Sequence, residues 1–534
     1  MSVKRDVVGN GKGRKCLGLF ELICAILFVG MPEIISTSAA SIQGASASPK
    51  AGLALLSNDE LLLAYKLADE KKEPAYCKEL APILAEMDKR GSFDGPIARL
   101  NAHANLWCAI DESKWSEAYQ NMINLESFTA VNSLGELGFS IAVVAGKNDV
   151  AVDRLIALAK DNDPDELLLV SVDRIFKLSN LLTRNKELDL RAKMLEALFQ
   201  SNHFGKLKSN IQEAVATEIL LVDARAGRFD RASTLMTSIN NPTTYMDLLA
   251  GRIYTPIWPM LEKTAGLNLT AISLKYVALC LAHYKKDMTD RDAFQTYADA
   301  LLYAGRFEDV ISLVEVKATA KLIEQDAWAL NAKVIALDSL GRNAEAEAIF
   351  EAVAIIPYDP DVNGWIVGLI INRGDRLVKL GQWHKALDAA ELAEKIAEKS
   401  GNDFAMMLIR KTKVCALTGI GQGDKAKILL DTMFDKRKDA YGAAAEAMLC
   451  ANDDKRAGTI VLEALADTDY SDTMASNLQR PEFELIYIPS ILPSLYEKLR
   501  NRPDVSAAFN KVERNIPDAY IPIAGVRRKS LKGL

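Results

Sequence analysis

The chain has 534 residues, 49% apolar and 25% charged, with 17 prolines and a formal charge of −6. That balance excludes a disordered or collagen-like chain, and there is material for a large core that needs neither a metal nor a disulfide framework. An acidic body repels phosphate backbones, so nucleic acid is not an expected partner.

Residues 1–47 read as a targeting segment. Lys4, Arg5, Lys12, Arg14 and Lys15 form a basic start, followed by the apolar run "CLGLFELICAILFVGM" (16–31). Small polar residues come next, with "SAA" (38–40) and "ASA" (45–47) as cleavage candidates. This is the order of a secretory signal peptide. The alternative is an uncleaved anchor, but the run has 16 residues and contains Glu21, whereas a spanning helix needs roughly 20 apolar residues. Cleavage removes five basic and three acidic residues and leaves a formal charge of −8. It also leaves Cys77, Cys108, Cys280, Cys415 and Cys450. An odd, sparse set is not a disulfide framework, although an exported chain can hold a bridge. Cys77 starts one expected helix and Cys108 lies near the end of the next, so an antiparallel hairpin would bring them together. The competing reading is two buried small hydrophobes.

Local signals along the body point to helices. "SNDE" (57–60) is a capping box. "DNDPDE" (161–166) offers Asp163 as a cap and Pro164 at the first helical position. A bend motif then recurs: "AGRFDRA" (226–232), "AGRFEDV" (304–310), "LGRNAEA" (340–346), "LGQWHKA" (380–386) and "IGQGDKA" (420–426). Its glycines, Gly227, Gly305, Gly341, Gly381 and Gly421, are 78, 36, 40 and 40 residues apart. A period in this range marks helical repeats. Each glycine is expected just past the end of a first helix, where a left-handed backbone is needed. Slim residues follow five later (Ala232, Val310, Ala346, Ala386, Ala426), where the two helices of a hairpin cross. "YTPIWPM" (254–260) interrupts the array as a joint between halves. The stretch 480–509 reads as helices broken by prolines, consistent with a terminal cap, and "VRRKSLKGL" (526–534) as a solvated basic tail.

At these residues the chain resembles the tetratricopeptide repeat family. "WALNAKVIALDSLGRNAEAEAIFEAVAIIP" (328–357) carries the family's glycine, alanine, aromatic and late proline at Gly341, Ala346, Phe350 and Pro357, and "GDRLVKLGQWHKALDAAELA" (374–393) adds the earlier helix glycine, Gly374. The resemblance is clearest over 290–435 and degenerate elsewhere, with a unit longer than the family's roughly 34 residues. It implies an all-α fold, a right-handed α-solenoid of stacked antiparallel helical hairpins. The expected organisation is 1–47 signal peptide, 48–255 degenerate array, 256–465 C-terminal array and 466–534 helical cap with a basic tail.

No constellation of catalytic residues stands out. His103, His203, His283 and His384 lie far apart, and surface positions are expected for them. Asp161, Asp163 and Asp165 alternate as in a calcium loop, but Glu166 and Val172 occupy the places that need glycine and an acid. "DESKW" (111–115) offers Glu112 and Ser113, two letters of the motif that carries the catalytic glutamate in cell-wall transglycosylases, at a place where a hairpin bend is expected. Neither a metal nor a cofactor is expected.

What remains is a surface. In the family the first helix of each pair lines a concave groove. Carried over by counting back from each bend glycine, the pattern gives Asp292, Gln295 and Asp299; Trp328, Asn331 and Asp338; Ile371, Asp375 and Val378; and Lys411 and Thr418. Such a groove suits a protein or an extended polar or basic peptide, or a glycan stacked on Trp328; the competing reading is a set of solvated helix faces. The expected function is a non-enzymatic, exported scaffold or adaptor in the bacterial cell envelope, periplasmic or anchored through residues 16–31 if these are uncleaved. The alternatives are an enzyme or enzyme accessory domain acting on cell-wall glycan, and a structural subunit of an export complex.

Overall fold

The computed structural model describes residues 53–532 apart from 70–75, 92–94, 129–133, 162–163, 316–321, 401 and 487. The leader and Asp163 therefore lie outside the described residues. Within them every regular element is helical and no strand forms; the backbones of Gly251 and Glu513 meet in a single antiparallel bridge. The protein is all-α. The chain divides into two compact units, the first ending at Val222 and the second running from Asp223. That boundary lies near the end of one helix, Ser209–Arg225.

The first unit holds α1 (Asn58–Asp69), α2 (Tyr76–Arg90), α3 (Gly95–Asp111), α4 (Trp115–Glu126), α5 (Gly135–Val144), α6 (Asn148–Lys160), α7 (Val172–Arg184), α8 (Leu188–Gln200) and most of α9 (Ser209–Arg225). Ser57 and Glu60 form the expected capping box: the Ser57 N–H donates to Glu60 (2.7 Å) and the Glu60 N–H to Ser57 Oγ (3.3 Å). Neighbouring helices pack in sequence, α3 on α4, α5 on α6 and α6 on α8. Buried Arg154 on α6 forks onto Glu126 of α4 at 2.8 and 2.5 Å.

The second unit holds α10 (Pro242–Ala250), α11 (Trp258–Ala265), α12 (Thr270–Lys286), α13 (Arg291–Tyr303), α14 (Phe307–Leu313), α15 (Glu324–Ser339), α16 (Asn343–Ala354), α17 (Ile366–Lys379), α18 (Trp383–Ser400), α19 (Asp403–Gly419), α20 (Gly423–Asp435), α21 (Tyr441–Cys450) and α22 (Asp454–Ala466). The shorter α23 (Ser471–Asn477), α24 (Leu495–Leu499), α25 (Pro503–Val512) and α26 (Ile523–Lys532) follow. The first helices of successive hairpins touch in order, α13 on α15, α15 on α17, α17 on α19 and α19 on α21, and α14, α16 and α18 each pack against the first helix that follows.

One local device makes these bends. At Gly305 the N–H donates to the Leu302 carbonyl (3.0 Å), and the next N–H, of Arg306, donates to Leu301 (2.9 Å). This pair of bonds satisfies the last carbonyls of the helix and needs a left-handed residue between them; φ of Gly305 is +67°. The same pair recurs at Gly146, Gly227, Gly341, Gly381 and Gly421, and at Ser113, Lys186 and Asn452, all with positive φ. The slim residues five after the repeat glycines, Ala232, Val310, Ala346, Ala386 and Ala426, are all buried, as are Met236, Val314, Phe350, Ala390 and Leu430 nine after.

The stretch 254–260 forms the helical turn Arg252–Ile257 and the start of α11, inside the second unit. Contacts with the end of the chain tie it in. Arg514 donates to the Leu249 carbonyl (2.8 Å) and Glu262 (2.7 Å), with its guanidinium 3.7 Å from the centre of a Trp258 ring. Asn268 donates to the Ile521 carbonyl at 3.0 Å. The basic tail also differs from expectation. Arg528 is buried, donating to Ser339 Oγ (3.0 Å) and to the carbonyls of Glu484 and Leu485 (2.9 Å each). Arg527 pairs with Glu308 at 2.5 Å. These arginines cap carbonyls and helix ends, which removes them from the solvated role that their charge suggests.

Candidate functional site

The bends fix which residues of each first helix lie together. Asp299 on α13 and Trp328 and Asn331 on α15 line one cleft with Tyr303, Ile335 and Ile486. The cavity is small, about 40 Å³. Gln295 is buried and donates to Asp299 at 3.2 Å, which orients that carboxylate. Asn331 accepts from Asn372 of α17 at 3.3 Å. Asp292 is exposed one turn further from the bend.

Several expected groove residues are instead structural. Trp328 is 5% exposed and its indole N–H meets Glu324 at 3.3 Å, so it walls the cleft and offers no open face for a sugar. Asp338 is 3% exposed. Arg376 forks onto it from α17. Val378, also three residues before its bend glycine, is buried like Asp338, and so is Ile371. A first helix flanked by its own hairpin partner and two neighbouring hairpins keeps only a narrow strip free, and counting from the glycine overestimates its width. Thr418 is partly buried.

A charged ladder links the first helices, and Lys411 at its centre is another expected groove residue that is buried. Lys411 on α19 contacts Asp375 of α17 and donates to Glu446 of α21 at 2.9 Å; Lys379 meets Asp375 at 3.1 Å. Burial pushes the Lys411 ammonium down, but Asp375 and Glu446 outweigh it and hold it above its usual range. Burial likewise raises Asp375, and Lys379 and Lys411 reverse that. The ladder cross-links three successive first helices at steps of 36 and 35 residues.

The residues with catalytic potential are dispersed. Glu112 and Ser113 sit exposed on the bend after α3, with Glu112 2.7 Å from Lys114. His103 accepts from Trp107 at 3.0 Å. His203 departs from its expected surface position: it is buried, with Nε2 3.0 Å from the Asp161 carbonyl. His283 and His384 are exposed. No group of three or more His, Cys, Asp or Glu with metal-binding geometry occurs among the described residues.

Two features had no signal in the sequence reading. Glu513 is 3% exposed and accepts from Gln479 (2.8 Å) and Ser476 (3.2 Å). Burial, with Asp247 and Asp472 facing it, pushes its carboxyl up to about 8. The second is a disulfide, Cys415–Cys450, joining α19 to α21 with Cα atoms 5.0 Å apart. The structure also bridges Cys77 and Cys108, joining α2 to α3 at 5.3 Å; Cys280 is buried and belongs to neither bridge. No family model matches the chain, and no curated protein matches it.

Proposed function

We propose that the protein is an exported, non-enzymatic scaffold or adaptor of tetratricopeptide-like architecture, a right-handed α-solenoid that holds a protein or peptide partner along its first-helix strip. The observation that carries the reading is the cleft of Asp299, Trp328 and Asn331. Two successive first helices contribute to it, and the bend device that sets their register occurs nine times among the described residues. Repeated hairpins in constant register offer a partner many weak contacts in series, the usual way a stacked array gains affinity. Two disulfides support export, because such bonds persist in oxidising compartments, and so does the signal-like order of residues 1–47. The same two features support a place in the bacterial envelope, periplasmic with the leader removed or anchored through it if it is uncleaved.

The test is affinity capture from envelope extract with the mature chain and with an Asp299→Ala/Asn331→Ala variant. Loss of a specific band with the variant is the expected result. Equal capture by both proteins overturns the assignment of the cleft.

A further inference from the structure

A short seam joins the two ends of the second unit. The backbones of Gly251 and Glu513 meet in the antiparallel bridge, and the next N–H, of Arg514, donates to the Ala250 carbonyl at 2.9 Å. The Arg514 side chain crosses to the Leu249 carbonyl, Glu262 and the Trp258 ring. Further on, Ile516 and Ile521 pack with Ala250 and Phe483, and Asn268 holds the Ile521 carbonyl. Residues 513–521 thus lie along 249–268 with only the turn Asp518–Tyr520 as helical structure of their own. α25 bounds this segment on one side. On the other, Arg527 and Arg528 pin α26 through Glu308, Ser339 and the carbonyls of Glu484 and Leu485.

Buried Glu513 opens the seam, and what it lacks is a cation. Its oxygens receive one N–H from Gln479 and one O–H from Ser476, both neutral. The Gln479 amide has nothing more to give: its nitrogen also serves the Arg514 carbonyl at 2.7 Å, and its oxygen accepts from the Ile516 N–H at 3.3 Å. The charged groups facing Glu513 are acids, Asp247 from α10 and Asp472 from α23. Cations on the surrounding elements are committed elsewhere. Arg514 goes to Glu262, Arg480 to Asp518, Arg456 of α22 to Asp453 and Asp431, and Arg500 after α24 to Ser506 and Asn515. Arg252 in the adjoining turn and Lys511 on α25 are exposed. Among the described residues no cation pairs with Glu513. A buried carboxylate stays ionised only with a cation or several strong donors beside it, and otherwise keeps its proton. We infer that the seam is a proton-held clasp: it closes on a neutral Glu513, and in alkaline surroundings Glu513 gives its proton to water and residues 513–521 come away from 249–268 while the hairpins stay folded. A segment with little helix of its own opens at lower cost than the helices around it. Opening carries the carboxylate into water and uncovers Trp258, Ile516 and Ile521. The protein thereby has a second conformation set by pH, whatever partner it binds.

Hydrogen exchange on the mature chain tests this, with each rate divided by the intrinsic rate of that amide at the same pH. Between about pH 6 and about pH 9.5, protection of the Arg514 and Ile516 amides should fall at least about tenfold, as release of one such proton allows, while amides of α15 and α17 keep theirs. Glu513→Gln carries no acidic proton at this position, so its two amides should be equally protected at both values. Asp472→Asn leaves Glu513 in place and removes a facing charge, so its fall should be smaller than the parent's. Parent protection that does not change with pH, a fall shared equally by α15 and α17, or a fall in both variants as large as the parent's overturns the inference.

Discussion

Arg376 and Asp338 lock neighbouring hairpins together: the guanidinium donates through Nε and Nη2 to the two carboxylate oxygens at 2.6 and 2.7 Å, and neither side chain is more than 1% exposed. The remaining donors reach Glu347 at 2.8 Å and the Asn343 carbonyl at 3.0 Å. A buried pair of this kind is worth little against an apolar replacement of both partners, yet losing one partner strands the other charge. Arg376→Met alone is therefore expected to cost about 3–5 kcal/mol, read from the urea midpoint. The double replacement Arg376→Met/Asp338→Leu should recover most of that loss. Single and double variants of equal stability would show that the pair is not coupled.

The hairpin crossing offers a sharper local test. Ala386 is fully buried five residues after Gly381, in a cluster with Leu377, Ala389 and Cys415. Ala386→Arg forces a long charged chain into that contact and should destabilise by at least about 1–3 kcal/mol. A variant that melts with the parent would place Ala386 away from the crossing.

The contrast between these two sites shows what the sequence could reveal. Ala386 was legible because slimness at a fixed distance from a repeating glycine is a pattern. Ser113, Lys186 and Asn452 make the same left-handed bends as the glycines, but a non-glycine at positive φ leaves no compositional mark. Asp338 read as a groove acid because its partner, Arg376, lies 38 residues away in the next hairpin. Ile486 was illegible as a wall of the cleft, because it belongs to no period and lies more than a hundred positions after the other residues that line it.

The disulfides tie redox state to the packing of successive hairpins. Cys415 and Cys450 are 35 residues apart in sequence. A loop of that size, if left open in the unfolded chain, costs about 3–4 kcal/mol. Cys415→Ser/Cys450→Ser should lose stability of that order under non-reducing conditions. Parent protein treated with reductant should fall at least as far. If the parent keeps its urea midpoint after full reduction, the bridges do not contribute to its stability.

Export makes a chemical prediction. The N-terminus of protein recovered from cells should begin near Ser41 or Ser48, as read by sequencing of the mature chain. An intact Met1 in a membrane fraction would favour the anchor, and an intact Met1 in a reducing compartment would remove the export reading.

Glu513 links the end of the chain to pH. Its backbone bridges to Gly251, and its carboxyl, ordinarily near 4.5, is held near 8 by burial and by Asp247 and Asp472. Between those values the unfolded chain has released this proton while the folded chain retains it. The unfolded state then binds fewer protons, so stability falls as pH rises through the interval, at up to about 1.4 kcal/mol per pH unit for this one group. Glu513→Gln removes the proton from the balance and keeps an acceptor for Gln479 or Ser476. The variant should match the parent at about pH 4 and exceed it progressively toward about pH 9, measured as urea midpoints across the range. Parallel curves would mean that Glu513 ionises in the folded protein as easily as in water. In that case the contact between 513 and the 247–251 turn would not be the dry, proton-bearing joint that its burial and hydrogen bonds require.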